Sequence, residues 1–177
     1  AAPEDYYLVV SALVPYKRID LAIDACSRLG RRLLVVGTGP EARKLADRAG
    51  PETRFLGYVG TDQTRELYRR CRALLFPGLE DFGITPLEAM ATGRPVVAYG
   101  RGGVTESVVD GQTGIFFPEQ TAPSLEEGIL YFERWEPTFD PEAARARARP
   151  CDRPRFEREF LAFVRRHAET RGLSTTI

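Results

Sequence analysis

Six short, β-prone runs of residues recur along the first two thirds of the chain, and helical patterns separate most of them. In the separating stretches, apolar residues return every three or four positions, which is the spacing of an amphipathic helix. Short strands that alternate with helices are typical of a parallel sheet covered by helices on both faces. The predicted strands lie at residues 7–11, 33–36, 54–56, 73–76, 95–98 and 114–117, and the predicted helices between them at 18–29, 41–49 and 62–71.

The last third of the chain has a different character, because its patterns are helical only. Helices are predicted at residues 125–132, 142–149 and 155–166, with a frayed end at 174–177. In the last helix, Phe156, Phe160 and Phe163 form an aromatic stripe, which favours packing over a binding site. No repeat or linker interrupts the sequence. We therefore predict a single α/β domain over residues 1–177, with a doubly wound (Rossmann-like) six-stranded parallel sheet, helices on both faces and additional C-terminal helices.

The predicted strand order draws attention to two loops. In a doubly wound sheet, the first and fourth strands lie side by side where the winding reverses, and ligands bind beyond their carboxyl ends. The loops that follow these two strands comprise residues 13–17 and 78–85. Both loops are therefore expected to line a ligand site.

The first loop ends in a pair of cations. Lys17 lies at the start of a predicted helix, where an ammonium group can meet a phosphate. The helix dipole disfavours a cation at this end unless an anion joins it. This favours phosphate binding over the alternative of a solvated lysine. For Arg18, binding and a solvated side chain are equal alternatives.

The second loop leads into a helix whose start is suited to an anion. Thr85 and Glu88 have the spacing of a capping box, with Thr85 as the N-cap and Pro86 at the first helical position. Because Gly83 lacks a side chain, the backbone amides around it can come close to a ligand. The free N–H groups of a first helical turn favour an anion such as a diphosphate.

For each of the two carboxylates of this segment, ligand binding competes with a different structural interpretation. Glu80 lies in the loop itself, where a carboxylate is a natural acceptor for sugar hydroxyls, and its alternative is a solvated loop acid. Glu88 already has a structural role in the predicted capping box. Taken alone, it is therefore more often a cap than a ligand-binding group.

Two glycine-rich segments are weaker signals. Residues 37–42 match the GxGxxA variant of the dinucleotide fingerprint, but they follow the second strand, and Gly57 and Tyr58 occupy the place of the expected acid. A tight turn near a nucleotide base is favoured over a nicotinamide site. Gly102 and Gly103 follow the fifth strand and form either an amide-rich edge of the pocket or a plain turn.

Charge and cysteine content restrict the function classes. Lys plus Arg and Asp plus Glu number 25 each, so no net field attracts nucleic acid or an anionic membrane. The three cysteines lie far from each other and from His167, which excludes the usual zinc spacings and fits a reduced, cytoplasmic setting. No apolar run approaches the roughly 20 residues that cross a bilayer. The chain starts without Met and enters a strand almost at once, which suggests a domain of a longer protein.

Several segments together resemble the C-terminal, donor-binding half of the family 4 retaining glycosyltransferases of the GT-B fold. The segments are VPYKRID, VGTGPE, FLGYV, EDFGITPLEAMATGRPVVAYGRGG and DGQTG, and the resemblance covers about residues 7–132. Its central piece is a Glu-x7-Glu pattern from Glu80 to Glu88, which is specific for this group and related GT-B enzymes. The stretch VSALVPYKRIDLAI is also similar to a mannosyltransferase-like subgroup that uses GDP-mannose.

The resemblance implies a role for each candidate residue. Lys17 is expected to hold the diphosphate and Glu80 to contact the donor sugar, which makes them the expected catalytic pair, and Glu88 is expected to hold the ribose. Where the family commonly has a second phosphate-binding cation, this chain has Ala12. The remaining expected substrate-binding residues are Phe82, Gly83 and Ile84 at the sugar and phosphates, Gly37, Tyr58 and Val59 around the base, and Arg18 and Thr85.

The resemblance also implies a retaining transfer that needs neither a metal ion nor a cofactor. The acceptor would be held by an N-terminal domain that this sequence lacks, and residues 153–168 would form the helix that crosses back to that domain. The chain alone would then be inactive, and any peripheral membrane association would occur through the missing half. Two alternatives stay open: a non-catalytic sugar-nucleotide sensing module in which Ala12 marks a decayed site, and a GT-B domain like that of a UDP-GlcNAc 2-epimerase.

Overall fold

Six parallel strands form the centre of the molecule, which we describe from a computed structural model over residues 2–169. The strands are β1 (Tyr7–Val10), β2 (Leu33–Val36), β3 (Thr53–Gly57), β4 (Leu74–Phe76), β5 (Val96–Tyr99) and β6 (Gly114–Phe117). Their order across the sheet is β3-β2-β1-β4-β5-β6, so β1 and β4 are neighbours and the winding reverses between them. This confirms the predicted doubly wound, Rossmann-like α/β fold.

Helices connect the strands and cover both faces of the sheet. They are α1 (Ile19–Leu29), α2 (Ala42–Arg48), α3 (Thr61–Arg70), α4 (Ile84–Ala91), α5 (Val104–Ser107), α6 (Ala122–Trp135), α7 (Pro141–Ala148) and α8 (Arg153–Glu169), with short 3-10 turns at Pro15–Lys17, Glu136–Thr138 and Arg149–Cys151. The predicted helices are confirmed within a few residues at their ends. The four-residue α5 was not predicted, because its single turn is too short to show a helical period.

Two hydrophobic clusters lie on opposite faces of the sheet, since side chains alternate along each strand. Tyr7 and Val9 of β1 point into the cluster that α1 and α6 cover. Leu8 points to the other side, into the cluster that holds Tyr68 of α3 and Met90 of α4. Strands that are buried on both faces explain why the predicted strands contain apolar runs rather than polar alternation.

The aromatic stripe of α8 is not packed as predicted. Phe156, Phe160 and Phe163 are 63%, 52% and 56% exposed, although Phe156 and Phe160 stack on each other with ring centroids 5.5 Å apart. The helical period marks an apolar face but does not say what covers it, and no described residue of the rest of the chain does so. The cross-over role of residues 153–168 stays a prediction, and the expected fraying at 174–177 lies outside the described residues.

A cluster of charges ties α6 to the amino end of the sheet. Glu133 accepts hydrogen bonds from Arg31 at 2.7 and 2.9 Å and from the hydroxyl of Tyr7 at 3.0 Å. Arg72, just before β4, lies 3.3 Å from Glu133 and also pairs with Glu136. Because the Glu133 side chain is only 17% exposed, its contacts are screened little by water.

Replacing Glu133 with Gln should lower the free energy of unfolding by about 1 to 3 kcal/mol at pH 7, because charge-assisted hydrogen bonds are lost. The pKa of Glu133 is lowered in the folded protein, mainly by the hydrogen bonds from Arg31. Such a group stabilises the fold above its unfolded pKa of about 4.3. The difference between the two proteins should therefore shrink as the pH falls below that value, which urea denaturation at pH 7 and at pH 3 measures.

Glu126→Gln is the matched control, since Glu126 lies on the same helix but pairs with the exposed Arg28. Its expected loss is below about 1 kcal/mol. Equal losses from the two variants, or a loss at Glu133 that does not depend on pH, would contradict the role given to this cluster.

Candidate functional site

A crevice opens at the carboxyl ends of β1 and β4 and contains two adjoining cavities. The larger cavity measures about 910 Å³ and the smaller about 650 Å³. Residues 10–12 and Thr85 line both cavities, so the end of β1 and the start of α4 lie at their junction. The position is the one that the strand order predicts for a ligand site.

The structure brings all but one of the candidate residues to this crevice. Arg18 lines neither cavity, because its guanidinium group makes two hydrogen bonds of 3.0 Å to Asp20. Its φ of 51° places it in the left-handed region, at the junction between the 3-10 turn and α1. The smaller cavity is lined by Lys17, Glu80, Phe82, Gly83 and Ile84, the larger by Gly37, Tyr58, Val59 and Glu88, and Thr85 lines both.

Lys17 and Glu80 form an ion pair across the crevice. Lys17 Nζ lies 2.5 Å from Glu80 Oε2, and the two side chains are 15% and 20% exposed. The ammonium group also lies 5.0 Å from the centre of the Tyr16 ring, a cation–π contact. The loops after β1 and β4 thus place a cation and a carboxylate in contact at the switch point.

The start of α4 differs from the predicted capping box. The helix begins at Ile84, two residues before the expected Pro86, and its N-cap is Gly83 with a φ of 83°, a conformation that disfavours other residues. No side chain of the described residues caps this helix, and no acid lies in its first turn. The N-terminal N–H groups and the positive end of the helix dipole therefore face the crevice without a side-chain acceptor.

Glu88 is not held by the Thr85 amide. Its carboxylate accepts a hydrogen bond of 2.8 Å from the hydroxyl of Tyr68, while the Glu88 residue itself remains exposed in the larger cavity. In the sequence, Tyr68 lies within the predicted helix at 62–71, and no pattern gives it a role in the site. Its distance from Glu88 along the chain gave no signal of the contact.

Gly102 and Gly103, the glycine pair after β5, pack against the backbone of the Glu80 loop. They line neither cavity. Gly103 donates its N–H to the carbonyl oxygen of Glu80 at 2.8 Å. A Cβ atom at position 103 would lie 2.1 Å from the carbonyl oxygen of Asp81. The pair is therefore neither a plain turn nor an amide-rich pocket edge, but a close backbone contact that fixes the Glu80 loop.

The larger cavity has a basic wall that the sequence analysis did not single out. Arg65 and Arg69 of α3 and Arg145 of α7 line it, and each pairs with an acid three residues away on its own helix. These ion pairs reduce the positive charge that the wall offers to a ligand. Residues 11, 38, 61 and 64 add small polar side chains to the lining.

Two further searches cover the described residues. Within residues 2–169, no three His, Cys, Asp or Glu side chains cluster so that they could hold a metal ion. None of the helices in that range combines the length and the apolar character that crossing a membrane requires.

Residues 2–149 match the family described as Glycosyl transferases group 1. An uncharacterized glycosyltransferase of Methanocaldococcus jannaschii is 30% identical over 131 residues, which are 71% of this chain and 37% of that protein. A glycogen synthase of Mycobacterium tuberculosis is 34% identical over 164 residues, 86% of this chain and 38% of that protein. An alpha-1,3/1,6-mannosyltransferase of Dictyostelium discoideum is 44% identical over 77 residues, 42% of this chain and 18% of that protein. The chain thus spans well under half the length of these relatives.

Solved structures share the fold. Sucrose-phosphate synthase from Thermosynechococcus elongatus superposes with a TM-score of 0.80 at 22% identity, over 97% of this chain and 47% of that one. HepE of Anabaena, in complex with UDP-glucose, has a TM-score of 0.71 at 24% identity, over 81% of this chain and 44% of that one. At these identities the likeness concerns the fold alone.

Replacing Gly103 with Ala should lower the free energy of unfolding by about 1 to 3 kcal/mol, because the new methyl group overpacks against the backbone of the Glu80 loop. Gly60→Ala is the control, since a Cβ atom there would meet nothing within 4 Å and the backbone φ is −68°. Its expected loss is below about 1 kcal/mol, because Gly60 is the N-cap of α3 and Ala is a poorer N-cap than Gly. Chemical denaturation of both variants compares them, and equal effects would show that the close contact at Gly103 has no energetic weight.

Proposed function

The chain belongs to the group 1 glycosyl transferases, and from this membership we propose that its crevice binds the nucleotide-sugar donor of a glycosyl transfer. The observation that carries the proposal is the contact between Lys17 and Glu80 beside the uncapped start of α4. A cation and free helical N–H groups suit a diphosphate, and a carboxylate suits the hydroxyl groups of a sugar.

The two cavities divide the donor between them. The smaller cavity takes the sugar and the diphosphate, with Glu80 at the sugar, and Lys17 and the amides of residues 82–84 at the phosphates. The larger cavity takes the nucleoside, with Glu88 at the ribose and residues 37, 58 and 59 around the base. The shared lining at residues 10–12 and 85 lets one ligand extend through both cavities.

The ion pair between Lys17 and Glu80 bears on how a donor would bind. Lys17 and Glu80 neutralise each other until a diphosphate, with its greater negative charge, competes for the ammonium group. When Lys17 turns to the phosphates, the carboxylate of Glu80 becomes free to accept hydrogen bonds from the sugar. Donor binding therefore exchanges one ion pair for another at the same lysine.

The same groups suit the chemical step. When the bond between the sugar C1 and the diphosphate oxygen breaks, the electron pair stays on the diphosphate, and Lys17 and the α4 dipole stabilise that developing charge. The acceptor oxygen forms the new bond to C1, and the proton of the acceptor hydroxyl passes to the departing diphosphate oxygen. We propose that it attacks on the same face as the leaving group, so that the configuration is retained, and that an N-terminal domain of a longer protein holds the acceptor. The present chain then binds the donor and does not transfer its sugar alone.

For the donor we propose GDP-mannose. The relative from Dictyostelium is a mannosyltransferase, and the segment around Lys17 resembles that class. HepE binds UDP-glucose within the same fold, so the donor has to be tested against uridine nucleotides.

Calorimetric titration of the chain with GDP-mannose, GDP, UDP-glucose and UDP-GlcNAc tests the proposal. The expected result is binding of nucleotide sugars, with GDP-mannose the tightest. Tighter binding of a uridine nucleotide would overturn only the donor assignment. If no nucleotide or nucleotide sugar binds at millimolar concentration, the site assignment fails.

Glu80→Gln should affect the nucleotide and the nucleotide sugar differently. The variant frees Lys17 from its ion pair, so binding of GDP should not weaken, while GDP-mannose should lose the contribution of its sugar, about tenfold for one charge-assisted hydrogen bond. Asp81→Asn is the control, because it removes the same charge one position along the same loop. Equal weakening of both ligands by Glu80→Gln would exclude the sugar role.

Ala12→Arg should strengthen binding of the diphosphate. Ala12 is exposed at the junction of the cavities, and a guanidinium group there adds a charge-assisted contact to phosphate, worth about tenfold in the dissociation constant. Ala91→Arg is the control, since Ala91 lines the larger cavity only. A gain of the same size in both variants, or none at Ala12, would place the diphosphate elsewhere.

A further inference from the structure

A hydrogen bond between Tyr68 of α3 and Glu88 of α4 lies in the lining of the larger cavity. Tyr68 is 2% exposed and is the buried residue of α3. Its hydroxyl group lies 2.8 Å from Glu88 Oε2. The ring is fixed by packing, while the carboxylate that it holds is exposed to the cavity.

We infer that Tyr68 is a positioning residue, which orients the Glu88 carboxylate so that it accepts hydrogen bonds from the two ribose hydroxyl groups of the bound nucleotide. The inference rests on the proposed function, because it assumes that a nucleotide occupies the larger cavity. Tyr68 would then affect nucleotide binding through Glu88, without contacting the nucleotide itself.

The geometry explains why such a residue is needed at this place. Glu88 has no capping role to restrain it, and an exposed glutamate on a helix samples several rotamers. The Tyr68 hydroxyl takes one carboxylate oxygen, Oε2, and leaves the other free for a ligand. A carboxylate that is fixed before the ligand arrives loses less conformational freedom on binding.

The direction of the hydrogen bond is fixed as well. Burial and the neighbouring Glu88 charge raise the pKa of Tyr68 above its ordinary value. The hydroxyl group therefore keeps its proton, and Glu88 acts as the acceptor towards both Tyr68 and the ligand.

The chain offers a matched comparison in Tyr6. Tyr6 is 3% exposed, and its hydroxyl donates a hydrogen bond of 2.8 Å to the carbonyl oxygen of Leu67, also on α3. Tyr6 does not line the larger cavity. Tyr6→Phe therefore removes an equally buried hydroxyl contact to the same helix without touching Glu88.

The test measures the preference for ribose hydroxyls in the full chain. GDP or UDP, whichever binds more tightly, is compared by calorimetry with its 2′,3′-dideoxy form. Tyr68→Phe should reduce the ratio of the two affinities about three- to tenfold, the worth of one hydrogen bond. Tyr6→Phe should leave the ratio unchanged, even if it lowers the melting temperature. In the double variant Tyr68→Phe, Glu88→Gln, the ratio should fall no further than in Glu88→Gln alone.

Each other outcome counts against the inference in a distinguishable way. If the wild-type chain binds neither nucleotide, the proposed function fails and the inference fails with it. If the wild type binds but does not prefer the hydroxylated form, or if Glu88→Gln keeps the preference, Glu88 does not hold the ribose. The inference then fails together with the ribose assignment, while donor binding in the crevice stands. If Tyr68→Phe keeps the preference, or weakens both ligands equally, Tyr68 has a structural role alone. Because Glu88 is exposed, Glu88→Gln is expected to fold even if Tyr68→Phe does not.

Discussion

The pairing of β1 with β4 is the constraint on which the site depends. Both strands run in the same direction, so their carboxyl ends meet at one edge of the sheet, and the loops that leave them turn to opposite sides. The crevice between those loops brings Lys17 and Glu80, which are distant in the sequence, to within 2.5 Å of each other. If another strand separated β1 from β4, each residue would keep its local surroundings but the ion pair would be lost.

Most of the fold was predictable from local patterns. Apolar runs and helical periods located all six strands and the longer helices, and the rule for doubly wound sheets supplied their neighbours. The same reasoning placed Lys17 and Glu80 at one edge, because residues that follow parallel strands meet there. The aromatic stripe of α8 shows the limit of periodicity, since it identifies an apolar face and not its partner.

The site departs from prediction where a tertiary contact replaced a local one. The capping-box spacing of Thr85 and Glu88 was correct as a pattern, but Gly83 replaces Thr85 as the N-cap, two residues earlier, and Tyr68 supplies Glu88 with a different partner. Arg18 was a candidate by position, yet Asp20 takes its guanidinium group. The contact of Gly103 with the Glu80 loop depends on the distance between two loop backbones, which the sequence does not encode locally. Away from the crevice, at the amino end of the sheet, Arg31 and Arg72 form ion pairs with Glu133 of α6.

The account claims that one nucleotide sugar extends through both cavities, with Lys17 exchanging Glu80 for the diphosphate. A crystal structure of the chain with bound GDP-mannose, or with the nucleotide sugar that binds more tightly, tests this most directly. The account predicts the diphosphate at Lys17 and at the start of α4, the ribose at Glu88, and Glu80 turned from Lys17 to the sugar. A nucleotide bound outside the crevice, or bound with the ion pair of Lys17 and Glu80 intact, would contradict it.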